Sequence, residues 1–302
     1  MVSRHNPRRD FFLIVLASAS WGTVGVANRW LFSLGSRNAL SLSFLRLAIA
    51  VPVFLAAGWI ILRRRLFVIQ RRDLAVMILM GCLIALSQAL YIAAIASVGV
   101  SISTLISICA APVIVALLSA FISRQRPSIM TLAALAAAIG GTALLMTTPS
   151  HPSPDGSISH LGVLLAFLSA IGYAGFIFCG RLLTGACHPI QVSTVSFVSG
   201  SLLLLVCAAS TRLVLAYSPT GWLILLFLGL IPTALGYGLF QVGIRSLSAT
   251  LASIITMCEP LTAALLAWLF FDERLDSTGL LGAVLLLGAM AFIILVPRKY
   301  FE

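Results

Sequence analysis

The stretch SIITMCEPLTAALLAWLF, residues 253–270, is an apolar run interrupted by one carboxylate, Glu259, with Pro260 next to it. The whole chain shares this apolar character. Of its 302 residues, 61% are hydrophobic and 9% are charged, and the mean hydropathy is +1.12. Soluble domains carry about 25% charged and about 45–50% apolar residues. The composition therefore predicts an integral membrane protein in which residues 253–270 lie within the bilayer.

Apolar segments long enough to cross a bilayer recur along the chain. A hydrocarbon core about 30 Å thick accepts about 20 apolar residues in an α-helix. Ten segments meet this criterion, so we predict an all-α membrane protein with ten transmembrane helices. The predicted spans are Phe11–Phe32, Ala39–Leu62, Leu74–Val98, Ser101–Ile122, Ile129–Met146, Leu161–Gly180, Val192–Thr211, Trp222–Ile244, Ala249–Phe271 and Gly279–Val296.

The longest polar stretch, TTPSHPSPDGSISH at residues 147–160, lies at the middle of the chain. Shifting the sequence by 148 positions carries Pro112 onto Pro260, and shifting it by 152 carries Trp21 onto Tyr173. This ordered correspondence favours two five-helix repeats, residues 1–146 and 161–302, joined by an external linker. Because each repeat has an odd number of spans, the second must be inserted upside down relative to the first.

The basic residues are distributed unevenly between the two sides of the membrane. With the N-terminus in the cytosol, 14 of the 19 lysines and arginines are cytosolic, three are external, and Arg29 and Arg46 lie within spans. The positive-inside rule therefore predicts that both termini are cytosolic. It also explains the net charge of +11 without a nucleic-acid partner. The cytosolic set is Arg4, Arg8, Arg9, Arg63, Arg64, Arg65, Arg71, Arg72, Arg124, Arg126, Arg181, Arg245, Arg298 and Lys299.

Sequence motifs of catalysis, metal binding and ATP hydrolysis do not occur in the chain. The six cysteines show no CxxC or Cys/His spacing, so we predict no metal, no other cofactor and no disulfide framework. An intramembrane enzyme would need an aspartate pair, an HExxH helix or a serine with a basic partner in the bundle. The sequence lacks GxxxxGK[ST], which argues against direct ATP hydrolysis. A channel would not need inverted halves, although symmetry does not exclude one.

Glu259 lies about ten residues into the ninth span, roughly 15 Å deep and near the bilayer midplane. An ionised carboxylate that faced lipid there would cost about 3 kcal/mol or more, so Glu259 is expected to face the bundle interior. In one interpretation it binds a substrate amine or a proton. In the other it is a neutral or paired glutamate that holds a kink. Pro260 leaves the Thr256 carbonyl without a helical donor, and we predict helix kinks at Pro260 and Pro112.

Other polar residues also lie within the predicted spans. Arg46 either meets a substrate carboxylate or extends its side chain to the outer surface. Polar residues at helical spacing in the third and eighth spans either line a cavity or bond between helices, and Trp21 either joins them or packs. The predicted substrate or proton site consists of Glu259, Arg46, Tyr91, Tyr237, Gln88, Gln241, Ser87 and Trp21.

The segment TALGYGLFQVGIRSLSATLASIITMCEPLTAALLAWLFFDERL, residues 233–275, resembles the EamA family of the drug/metabolite transporter superfamily. The shared features are a Thr-Ala-x-x-Tyr start, a Leu-Ser-Ala turn, a Glu-Pro pair and a following Glu-Arg-Leu. Trp21-Gly22 and FLRLAIA around Arg46 resemble the family's first two helices, whereas Ala111 and Gln125 stand where the second half has glutamates. The resemblance implies an inverted-repeat bundle with a central cavity and the export of amino acids, metabolites or drugs.

We therefore expect a secondary transporter of the bacterial cytoplasmic (inner) membrane that exports a small amphipathic solute by alternating access. An amino acid or related metabolite is the first candidate. A drug cation or a lipid-linked sugar is the alternative solute class, and an intramembrane enzyme is the alternative of another class. The expected partners are the solute, lipid and protons. The sequence leaves open whether transport is proton-coupled or facilitated, and it leaves the oligomeric state open.

Overall fold

The computed structural model describes residues 7–35, 38–122, 124, 127–146, 159–210, 213–272 and 275–295. Within these ranges the protein is a bundle of α-helices without a β-sheet. Most of the predicted 147–160 linker and the Glu-Arg pair at 273–274 lie outside the described residues. The helices are α1 (Pro7–Ser33), α2 (Ala39–Leu62), α3 (Arg71–Phe121), α4 (Ile129–Leu145), α5 (His160–Leu182), α6 (Pro189–Ser210), α7 (Pro219–Leu228), α8 (Gly236–Gly243), α9 (Ala249–Thr256), α10 (Glu259–Phe271) and α11 (Ser277–Leu295).

The predicted membrane-spanning architecture is confirmed. In the described part of the chain, nine helical segments are long and apolar enough to cross a membrane. The remaining predicted span, Ile129–Met146, is α4, whose 17 residues extend about 25 Å. This is a few ångströms less than the hydrocarbon core. The chain is therefore an all-α protein whose apolar helices match the lengths that a bilayer requires.

The third and fourth predicted spans form one unbroken helical segment, α3, of 51 residues. The hydroxyl groups of Tyr91 and Thr104 form a hydrogen bond, although these residues would lie about 20 Å apart along a straight helix. The segment therefore bends back between them, and its arms Arg71–Ile95 and Ile102–Phe121 are separate spans. The two predicted spans are therefore confirmed as separate, although residues 99–100 between them remain helical.

Two other spans depart from regular α-helix. In the eighth, the π-helical turn Gly229–Leu235, which contains Pro232, separates α7 from α8. In the ninth, α9 ends at Thr256 and α10 begins at Glu259, immediately before Pro260. Around Pro112, by contrast, α3 remains helical. Of the two prolines predicted to kink their helices, Pro260 therefore adjoins a break and Pro112 lies in continuous helix.

Helices of one half pack mainly on helices of the other half. Helix α1 contacts α8, α9 and α10, while its counterpart in the second half, α5, contacts α3. Helix α2 packs on α6, and α4 packs on α11. Helix α2 also contacts the π-helical turn, and α3 also contacts α6. The equivalent helices of the two halves are α1 and α5, α2 and α6, and α4 and α11. When each helix is replaced by its equivalent, every contact named here becomes either the same contact or another one in this group, as two inverted repeats require.

The crossing of α4 and α11 depends on two glycines. A Cβ atom at Gly141 would lie 2.8 Å from the carbonyl oxygen of Gly282. A Cβ atom at Gly282 would lie 2.5 Å from the carbonyl oxygen of Gly141. Small residues allow this approach, and close packing is a main source of attraction between helices in lipid. The last helices of the two halves are therefore held in backbone contact.

Candidate functional site

Glu259 lies where the helical hydrogen bonding of the ninth span changes. The amide of Met257 donates to the Ile254 carbonyl at 3.0 Å, and the amide of Cys258 donates to the Ile255 carbonyl at 3.1 Å. Both bonds join residues three apart, so the last turn of α9 tightens before the chain leaves it. Helix α10 then begins at Glu259, which places the carboxylate in its first turn.

Helix α1 covers this break. Pro260 has no N–H, so the carbonyl of Thr256 has no helical donor. The hydroxyl of Ser18 in α1 donates a hydrogen bond to that carbonyl at 2.8 Å. One turn along α1, a Cβ atom at Gly22 would lie 2.7 Å from the carbonyl oxygen of Glu259. Helix α1 therefore contacts the backbone on both sides of the break.

Charged and polar side chains surround the Glu259 carboxylate. Its side chain lies deep in the bundle but remains half-buried. The charge interacts electrostatically with Arg46 of α2 and with Tyr91, Tyr173 and Tyr237. Arg46 and Glu259 form no direct ion pair in the described structure. The Arg46 side chain is 7% exposed, and its buried Nε atom has no hydrogen-bond partner among the described protein groups.

Aromatic rings from both halves lie beside these charges. The ring centroid of Trp21 is 4.8 Å from that of Tyr237 and 6.5 Å from that of Tyr173. Phe176 of α5 lies 5.5 Å from Tyr237 with its ring nearly perpendicular. The indole N–H of Trp21 donates to the Pro232 carbonyl in the π-helical turn at 2.9 Å. The indole N–H of Trp21 is therefore satisfied, and its hydrogen bond joins α1 to the eighth span.

Two more of the predicted residues belong to the same cluster. The Gln88 side chain of α3 lies near the Tyr237 hydroxyl of α8. Tyr91, one turn further along α3, bonds to Thr104 and interacts electrostatically with Glu259. The structure thus brings together six of the eight predicted site residues, which come from five helices. They are Trp21, Arg46, Gln88, Tyr91, Tyr237 and Glu259.

Ser87 and Gln241 have contacts typical of helix packing. The Ser87 hydroxyl donates to the Ser169 carbonyl at 2.9 Å, and the Ser169 hydroxyl donates to the Ser87 carbonyl at 2.9 Å. Gln241 is 3% exposed, and its Nε2 atom lies 3.9 Å from the sulfur of Met80. Such bonds between helices are the commoner use of polar groups in a membrane bundle.

Sequence reasoning did not include Tyr173 and Ser18 in the site. Tyr173 lies near Thr256 and in the same aromatic group as Trp21. The shift of 152 positions that relates Trp21 to Tyr173 was a usable signal for it. Ser18 has no such signal, because a single serine in an apolar helix looks the same whether it bonds within its helix or to another.

A separate groove of about 550 Å³ lies between α4, α10 and α11. Apart from Thr262, its lining is apolar, and it contains neither Glu259 nor Arg46. This groove therefore lacks the charged groups that lie near Glu259. In the described residues no group of three or more His, Cys, Asp or Glu side chains could hold a metal ion.

The sequence matches the EamA-like transporter family over residues 9–147 and 160–295. The chain belongs to this family. It is 29% identical to the uncharacterized transporter YwfM of Bacillus subtilis (strain 168), over 95% of this chain and 94% of that protein. It is 25% identical to the uncharacterized inner membrane transporter YicL of Salmonella typhimurium, over 97% of each.

The fold of this family member also matches a solved crystal structure. That structure superposes with a TM-score of 0.81 at 18% sequence identity, covering 97% of this chain and 99% of the other. At this identity the likeness concerns the fold alone. Together with the family assignment and the relatives, the helices identify a multi-pass membrane transporter.

Proposed function

We propose that the protein exports a small amphipathic solute across the cytoplasmic membrane by alternating access, with an amino acid or related metabolite as the first candidate. One observation carries this proposal. An arginine and a glutamate, Arg46 and Glu259, lie deep in the bundle, and neither forms an ion pair with the other. A solute that carries both an ammonium and a carboxylate group would pair with each of them.

The energetics of buried charge support this assignment. Removing an ion from water costs several kcal/mol unless it is paired and hydrogen-bonded. The unpartnered Nε atom of Arg46 is suited to a carboxylate, which a guanidinium binds through two parallel hydrogen bonds. The rings of Trp21, Tyr173 and Tyr237 offer an apolar surface beside the charges. These features suit an amphipathic solute better than an apolar one.

The proposal is tested by solute uptake into inverted vesicles across a pH series. Glu259→Gln keeps the shape of the side chain but removes its charge and its exchangeable proton. We expect transport to fall at least tenfold or its pH profile to change, with membrane yield and melting temperature near wild type. Glu259→Asp should retain part of the activity. Wild-type rates and an unchanged pH profile in the Gln variant would leave Glu259 as a packing residue.

A second variant separates the solute classes. Arg46→Gln should abolish transport of a zwitterionic amino acid, because the carboxylate loses its partner. A drug cation would need Glu259 alone and would tolerate this change. A screen of amino acids, drug cations and lipid-linked sugars in proteoliposomes, with and without a pH gradient, identifies the class and tests for proton coupling.

We also propose that both termini are cytosolic and that residues 147–160 are external. Val68 lies in an exposed position between α2 and α3. After replacement of the native cysteines, an impermeant thiol reagent applied to intact cells should label Pro154→Cys quickly and Val68→Cys not at all. The reverse pattern would overturn the topology.

A further inference from the structure

We infer that Ser18 is a positioning residue for Glu259, because its hydroxyl supplies the hydrogen bond that Pro260 cannot supply at the break between α9 and α10. This inference rests on the proposed role of Glu259 in solute binding. In this arrangement α1 fixes the backbone turn that bears the Glu259 carboxylate.

The first support is the geometry of the Ser18 hydroxyl. Ser18 is fully buried, and its Oγ atom lies 2.8 Å from the Thr256 carbonyl oxygen and 3.4 Å from the Ile255 carbonyl oxygen. In a regular helix these carbonyls would accept from residues 260 and 259. Residue 260 is a proline and cannot donate. A single hydroxyl from the first half therefore lies at the two carbonyls that the break affects.

Neighbouring hydroxyls on α1 do not behave in this way. The Ser20 hydroxyl donates to the Ala17 carbonyl at 2.6 Å, and the Thr23 hydroxyl donates to the Ser20 carbonyl at 2.6 Å. Both bonds stay within α1, which is the usual arrangement for serine and threonine in a helix. Ser18 instead bonds to a residue 238 positions away. The contact is therefore specific to the break.

The other half of the chain provides an internal comparison. The shift of 152 that relates α1 to α5 places Ala170 opposite Ser18, and the shift of 148 places Pro112 opposite Pro260. The helix containing Pro112 continues without a break. The half that lacks the hydroxyl therefore also lacks the break, although it has the proline. A proline alone does not produce this local structure.

A double-mutant cycle tests the inference. Pro260→Ala restores an N–H that can reach the Thr256 carbonyl, so it should make the Ser18 hydroxyl dispensable. Ser18→Ala alone should lower the maximal transport rate about 5-fold or more, since an unsatisfied buried carbonyl costs at least about 1 kcal/mol and 1.4 kcal/mol is tenfold. In the Pro260→Ala background, adding Ser18→Ala should change the rate less than twofold.

A second readout reports on the carboxylate without transport. We expect dicyclohexylcarbodiimide to modify Glu259, as located by mass spectrometry, at a rate that Ser18→Ala changes and Ser18→Thr restores. Ser20→Ala is the matched control, because its hydroxyl bond stays within α1, and it should leave both readouts at wild-type values. If Ser18→Ala fails to fold, Ser18→Cys keeps the volume with a weaker donor and replaces it in the cycle.

Two results would overturn the inference. One is additive effects of Ser18→Ala and Pro260→Ala on the transport and modification rates. The other is a lower melting temperature with unchanged transport per folded molecule and unchanged modification, which would make Ser18 a packing residue. If Glu259→Gln itself transports at the wild-type rate, the proposed function of the site fails instead. The modification rates then still decide whether Ser18 fixes the position of the carboxylate.

Discussion

Replacing Gly22 with alanine should separate α1 from α10 at the Glu259 turn. A Cβ atom there would lie 2.6 Å from the Thr262 Cβ, 2.7 Å from the Glu259 carbonyl oxygen and 3.0 Å from the Ala263 amide nitrogen. Carbon atoms pack best at about 3.5–4.0 Å. Because two of these three atoms belong to the backbone, no side-chain rotation relieves the contacts. The two helices must move apart by roughly 1 Å.

The expected cost follows from two opposing terms. Overpacking a tight contact costs about 1–3 kcal/mol. Replacing glycine with alanine inside a helix returns about 0.8–1 kcal/mol. Gly25 lies one turn further along α1, and a Cβ atom there would have nothing within 4 Å. Gly25→Ala should therefore only gain the helix stabilisation, without the overpacking cost. The free energies of unfolding of the two variants should then differ by about 1–3 kcal/mol.

Thermal melting of the purified variants in one detergent measures this difference. We expect Gly22→Ala to melt below wild type or near it, and Gly25→Ala to melt at or above wild type. Transport should fall in Gly22→Ala, because the shift occurs at the Glu259 carbonyl, and should stay unchanged in Gly25→Ala. Equal melting temperatures and equal transport in the two variants would refute the close contact between α1 and α10.

Two other predictions concern different parts of the molecule. Gly141→Ala should destabilise the protein by about 1–3 kcal/mol more than Gly140→Ala, because only Gly141 is in backbone contact with α11, and matched melting curves would contradict this. In the loop between α5 and α6, burial, with a smaller contribution from Asp73, raises the pKa of the Cys187 thiol to about 11. With the other five cysteines replaced, maleimide labelling of Cys187 should be slow at neutral pH and accelerate towards pH 11, because the thiolate is the reactive form. Labelling should also be faster in Asp73→Asn, because removing the nearby negative charge lowers the pKa of the thiol. A labelling rate independent of Asp73 would contradict the assignment.

The transmembrane helices could be predicted from sequence because the bilayer imposes both their length and their apolar composition. The same lengths place a boundary between the third and fourth spans but not its form, since α3 stays helical through the reversal that the contact between Tyr91 and Thr104 shows. The break before Glu259 was anticipated from Pro260 as a kink. The hydroxyl that bonds to the Thr256 carbonyl at this break belongs to Ser18, which lies 238 residues earlier in the chain.

The candidate site was predictable where polarity itself was the signal. A carboxylate or a guanidinium within an apolar span is costly enough to require an interior position, which identified Glu259 and Arg46. Neutral polar groups carry less information, because the same residue type suits a cavity or a bond between helices. Only the structure pairs Ser87 with Ser169 and places Gln88 near Tyr237. Their assignments depend on which helix lies opposite, and helical spacing does not contain that information.

The duplicated fold does not produce a duplicated site. Glu259 belongs to the second half, and Ala111 stands at its counterpart in the first. Arg46 belongs to the first half, and any shift between 148 and 152 positions places its counterpart within TVSFV, residues 194–198, which has no charge. Two symmetric glutamates or two symmetric arginines would repel each other in a low-dielectric interior. One charge from each half instead gives a site with a positive and a negative side, and such a site favours one orientation of a solute whose two ends differ in charge.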